Sequence, residues 1–189
     1  MVERLTLPEF QAQLARKLAQ AADRPAAADW LGVSWHGVQA LLPLAQAGEI
    51  FDPAALQRLP HAQPWVAGVA SLRGALAVVI DWVRLMGLEA RGAEASEEAT
   101  TYWVSLNPAL GVPAALCVDR LAGLHNRVDL QWVSGQPVAA WPAILGVWRD
   151  GDGQAWYEID LVRLSQADAF LDLREPGSAA RPLLRNDDV

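Results

Sequence analysis

The sequence predicts a mainly β protein, built as small barrels or a sandwich, and three observations carry that prediction. Eight short runs of strand-forming residues are separated by turn-forming ones. Little helix-length sequence lies between them, which argues against βαβ units and a parallel sheet. One hairpin-like stretch also occurs twice. Gly68-Val69, Gly74 and then Ile80-Asp81-Trp82-Val83-Arg84-Leu85 are echoed by Gly146-Val147, Gly153 and Ile159-Asp160-Leu161-Val162-Arg163-Leu164, with one residue inserted. The echo predicts two related β subdomains, each with an aspartate that caps a following helical turn.

In chain order, the first element is a helix. Thr6 and Glu9 have capping-box spacing, Pro8 suits a first turn, and Phe10, Leu14 and Leu18 recur every four residues, with Ala21 and Ala22 continuing the stripe. Arg24-Pro25 ends it, so residues 1–27 read as helix and linker. Strands are then predicted at Trp30–Trp35, Val38–Pro43, Val66–Ser71, Ala75–Ile80, Thr101–Leu106, Ala114–Val118, Ile144–Trp148 and Ala155–Ile159. Trp35-His36-Gly37, Arg73-Gly74, Leu110-Gly111 and Asp150-Gly151-Asp152-Gly153 supply the turns. Ala75–Ile80 is apolar at every position and predicts a strand covered on both faces. Glu89–Thr100 reads as a solvated loop between halves, and residues 173–189 as a mobile tail.

Composition narrows the function. With 52% hydrophobic and 20% charged residues, 189 residues suffice for a sizeable core and are unlike a disordered chain. No apolar run approaches the roughly 20 residues of a bilayer span, and the first residues lack a signal-peptide layout. A net charge of −7 without a basic cluster argues against nucleic-acid binding. One cysteine, Cys117, fits a reducing cytoplasm and reads as a small core hydrophobe. Nine tryptophans are expected mostly in packing roles.

Catalytic and metal chemistry finds little support. His36, His61 and His125 show no ligand spacing with each other or with Cys117, and no metal or cofactor is predicted. Asp81, Asp119 and Asp160 each close an apolar strand and could converge as an acid–base or metal site. Capping explains that same placement and is preferred.

The segment Leu59-Pro60-His61-Ala62-Gln63-Pro64-Trp65-Val66-Ala67-Gly68-Val69-Ala70-Ser71-Leu72-Arg73-Gly74, with the strand that follows to Asp81, resembles the signature of CheW-like domains. Val38–Ile50, Leu116-Cys117-Val118-Asp119-Arg120-Leu121 and Leu145 through Leu164 are similar to further family segments, so the resemblance covers residues 28–172. Pro64-Trp65-Val66-Ala67-Gly68-Val69-Ala70, the preceding helix and Ala169-Phe170-Leu171-Asp172 are similar to the family's adaptors of type IV pilus chemosensory systems. The resemblance implies two SH3-like five-stranded barrels in a cytoplasmic, non-catalytic adaptor. Its implied partners are the cytoplasmic tip of a methyl-accepting chemoreceptor and the regulatory domain of a CheA-type histidine kinase. The family's receptor-facing residues map to Gly68 and Arg73, with Ala47, Glu49 and Leu72 beside them. Ser71, Ala77 and Ala47 depart from the usual Asn, Pro and Val. A generic β-barrel interaction module with another partner is the alternative reading.

Overall fold

The computed structural model describes residues 28–88, 101–134 and 141–175. The expected N-terminal helix, the loop at 89–100 and residues 176–189 of the expected tail lie outside them. Residues 173–175 are paired: Gln63 N–H donates to Leu173 O and Glu175 N–H to His61 O, both at 2.9 Å.

The strands are β1 (Trp30–Trp35), β2 (Val38–Pro43), β3 (Ala47–Phe51), β4 (Val66–Leu72), β5 (Ala75–Ile80), β6 (Tyr102–Leu106), β7 (Ala114–Val118), β8 (Arg120–His125), β9 (Gln131–Ser134), β10 (Ile144–Arg149) and β11 (Ala155–Ile159). Three short helices join them: α1 (Trp82–Leu85), α2 (Leu161–Gln166) and α3 (Asp168–Leu171). One sheet has the order β8-β1-β2-β11-β10-β9 and the other β3-β6-β7-β5-β4. The five strands expected per subdomain hold for the second sheet, and β9 adds a sixth to the first.

In each sheet a connection ties the edge strands. In the five-stranded sheet, Gln57 of the β3–β4 connection exchanges backbone hydrogen bonds with Val69 of edge strand β4. In the six-stranded sheet, edges β8 and β9 are joined by Asn126–Leu130 alone, and the Arg127 guanidinium lies 5.5 and 5.4 Å over the Trp30 and Trp148 rings.

The repeated hairpin is real, and its one-residue mismatch is the net of a turn three residues longer and two strand arms each one residue shorter in the second copy. Hairpin β4–β5 closes through Arg73-Gly74, whereas β10–β11 closes through the five residues Asp150–Gln154. Each pair has a register break near its glycine, Gly68 or Gly146, and each ends in an aspartate cap. Asp81 accepts from Arg84 N–H, and Asp160 from Val162 and Arg163 N–H. Each of β5 and β11 then pairs in parallel with a strand from the other half of the chain, β7 and β2 respectively. The halves are therefore interleaved: β1 and β2 complete the sheet of β8–β11, while β6 and β7 complete that of β3–β5.

Three apolar clusters follow from this arrangement. Ala70, Leu72, Ala77, Val79, Trp103, Ala115 and Cys117 fill the five-stranded barrel. Trp30, Leu41, Leu130, Trp148 and Trp156 fill the other. The largest cluster lies between the sheets and draws Val33, Leu42, Val104 and Leu116 together with Trp82, Leu161 and Phe170 from the helices. The Trp82 indole N–H also donates to Cys117 O at 2.9 Å, tying α1 to β7. Eclipsing the expectation for β5, its first two residues face water, with Leu76 71% exposed, and only Ala77, Val79 and Ile80 are fully covered.

Candidate functional site

The β4–β5 turn is where sequence and backbone strain meet. Arg73 has φ 48° and Gly74 φ 84°, the double positive φ of a type I′ hairpin. Gly74 adopts this without penalty, but an arginine there costs on the order of 1 kcal/mol or more. Ser71, in place of the usual Asn, leaves the two-residue turn closed in register, with Ser71 opposite Leu76 and Leu72 opposite Ala75.

Arg73 reaches from this turn to the opposite edge of the barrel, where its Nε lies 2.7 Å from Glu49 Oε2 on β3. Both side chains remain open, at 76% and 53% exposure, so the pair contributes only about 0–1 kcal/mol to stability. It preorganises a guanidinium instead. Beneath it, Glu49 is fixed through its backbone: its N–H donates to Ser105 Oγ at 2.9 Å, and that hydroxyl donates to Glu49 O at 3.2 Å.

A groove of about 430 Å³ opens beside the pair, lined by Phe51, Leu72, Ala77, Leu106, Val112 and Pro113 among others. Exposed Leu76 also lines it, and Ile50 on β3 is exposed close to Glu49 in sequence. An apolar trough with one guanidinium and one carboxylate at its rim suits a protein side-chain ridge, with the charges fixing register.

The five expected partner residues separate on inspection. Arg73 and Glu49 are exposed and joined. Leu72 is buried at 8% exposure and forms part of the groove wall from within the barrel core, while Ala47 is half-buried at the start of β3. Gly68 is placed differently from the other four. It is buried, and the backbone that approaches it is the chain's own: a Cβ there would lie 2.5 Å from Gln57 O. Its φ of 154° and this crowding make it a seat for the β3–β4 connection, behind the surface and not on it. The groove's other wall, from Ser105 to Ala114, carries no signal legible in advance, because its residues are ordinary strand and turn residues.

The three aspartates do not assemble as an acid–base site. Asp119 accepts the His36 N–H at 2.9 Å and the Ser34 hydroxyl, holding the β1–β2 turn, in which His36 has φ 50°. Asp81 Oδ2 lies 3.5 Å from His36 Nε2 while Oδ1 accepts the Arg84 N–H at 2.9 Å, so two carboxylates do reach the same turn. Asp160 is occupied with α2 and lies 3.5 Å from Arg163 Nε. Cys117 is buried, and burial, followed by the negative charge of Asp81, pushes its thiol up to about 12. It is unsuited to nucleophilic work. Among the described residues no group of His, Cys, Asp and Glu has a metal-binding arrangement, and no helix is long and apolar enough to cross a membrane.

Two sheets with the capped-hairpin repeat and an Arg–Glu rim are thus in place. Residues 29–169 match the CheW-like domain family. The chain belongs to that family. CheW-like domains are non-catalytic scaffolds that bind chemoreceptors and CheA kinases, and this one is such an adaptor. It is similar to Protein PilI of Pseudomonas aeruginosa, with 29% identity over 168 residues, covering 85% of this chain and 90% of that one. Its fold is similar to the crystal structure of the scaffolding protein TtCheW from Thermoanaerobacter tengcongensis, with a TM-score of 0.58 and 18% identity over 73% of this chain and 87% of that one.

Proposed function

We propose that this CheW-like domain joins the cytoplasmic tip of a methyl-accepting chemoreceptor to the regulatory domain of a CheA-type kinase, in the cytoplasm, within a type IV pilus chemosensory system. The Glu49–Arg73 rim and its groove form the receptor side. The likeness to PilI along most of both chains supports the pathway. The observation that carries the site is Arg73: a strained, exposed guanidinium held over an apolar groove by a single exposed carboxylate.

Such an arginine offers five donors to a helical partner's carboxylates or C-terminal carbonyls, and Glu49 is a weak competitor that a partner displaces at small cost. Arg73→Glu is expected to keep the circular dichroism spectrum and melting temperature while weakening co-sedimentation with receptor fragments by about tenfold or more, the scale of a lost hot-spot arginine. Undiminished binding by the folded variant removes the receptor from this groove. Capture of neither receptor nor kinase by the unmodified protein favours an interaction module with another partner.

A further inference from the structure

The carboxylate of the Glu49–Arg73 pair stands on a break in its own strand's pairing. Ala47 is opposite Leu106 and Ile50 opposite Val104, so two residues of β3, Gly48 and Glu49, face one residue of β6, Ser105. This is a β-bulge, which leaves one residue without a ladder partner and re-aims its side chain. β3 is the edge of its sheet, so β6 is its one described neighbour. The missing rung is supplied by a side chain. Glu49 N–H donates to Ser105 Oγ at 2.9 Å, and the same hydroxyl donates back to Glu49 O at 3.2 Å. The hydroxyl's one donor is thereby spent on Glu49, as is one of its acceptor positions. Gly48 shows how closely it is seated. A Cβ there would collide with Ser105 Oγ and lie 2.8 Å from Leu106 O, so the bulge needs glycine at this position.

From this footing the Glu49 carboxylate crosses to the β4–β5 turn and meets Arg73 Nε at 2.7 Å. Both side chains are long and more than half exposed, so packing does little to order either of them. What fixes the pair in space is the backbone under each: a two-residue turn under Arg73, and the Ser105 hydroxyl under Glu49. We infer that Ser105 is a positioning residue for the rim: its hydroxyl holds the bulge that aims Glu49 at Arg73, and so presents the guanidinium ready for a partner. Its weight in receptor binding rests on the receptor side proposed above; its effect on Arg73 does not.

Nuclear magnetic resonance of the Arg73 Nε–Hε group in the full chain reads that effect without any partner. With Ser105→Ala the signal is expected to move toward its position in Glu49→Ala, while the amide signals of the β10–β11 hairpin stay in place. Binding of a receptor-tip fragment is expected to weaken about two- to tenfold in Ser105→Ala, the scale of one long side chain left for the partner to order. In the Glu49→Ala background the same substitution is expected to add nothing, as for residues that act through one another. An Arg73 signal unmoved by Ser105→Ala overturns the proposal. So does a full additional loss of binding in the Glu49→Ala background, which would mean that Ser105 touches the receptor itself. A moved signal with binding unchanged in both Ser105→Ala and Arg73→Glu keeps the positioning role and overturns the receptor reading instead.

Discussion

Arg73, Gly68 and Cys117 each show how a side chain, or its lack, is given its task by backbone geometry. Arg73 occupies a left-handed conformation that Asn or Gly would hold more cheaply. Arg73→Asn is therefore expected to leave stability unchanged or raise it by a few tenths of a kcal/mol in urea titrations, while still losing the partner contact. Gly68 has the opposite logic. Gly68→Ala forces Cβ against Gln57 O, so it is expected to cost about 1–3 kcal/mol and to speed amide exchange at Gln57 and Val69, whose mutual bonds it breaks. Unchanged exchange there would return Gly68 to the receptor-facing role that the family resemblance implied for it. For Cys117 the folded pKa lies above the ordinary value of 9.0. Its contribution to stability is thus full below pH 9 and is lost as pH rises from 9 toward 12. Thiol reagents at pH 8 are expected to label it only on unfolding.

The capped hairpin is the element on which the fold is built twice. Replacing Asp160 by Ala removes the carboxylate that accepts from Val162 and Arg163, with an expected loss of about 1 kcal/mol in thermal unfolding. Asp81→Ala is expected to cost more, because the same carboxylate also faces His36 across the sheets. These hairpins were legible in the sequence, since Ile-Asp followed by Val-Arg-Leu marks both a strand end and a helix start. Five predicted strands have the observed ends, and three others differ by one residue. Three strands were not predicted, for a shared reason. β3, β8 and β9 are edge strands whose described residues are half-buried or exposed, with no alternating apolar face, and only Asp119 separates β8 from β7. Their pairing is imposed by distant strands, which local pattern cannot report. The candidate site divides along the same line. Arg73 and Glu49 stood out through family resemblance, whereas the groove exists only because β3 is carried to β6 and faces the β4–β5 turn.

For the molecule as a whole, the largest core belongs to both sheets. Leu42→Ala in that core is expected to cost about 2–5 kcal/mol and to shift a single unfolding transition, followed alike by tryptophan fluorescence and circular dichroism. Two resolved transitions would show that the sheets are independent. The interleaving of the halves also bears on how the chain is made. On the ribosome, every strand of the five-stranded sheet has been synthesised once Val118 is added, yet hairpin β1–β2, the first of the described strands, still lacks its neighbours on both sides. Its last partner strand ends at Ile159, 116 residues after Pro43. At about 5–20 residues per second that is a wait of roughly 6–23 s for an apolar ribbon with a border open. Of the described strands the first made therefore wait longest, and residues 30–43 keep an unpaired edge until Ile159 has been added.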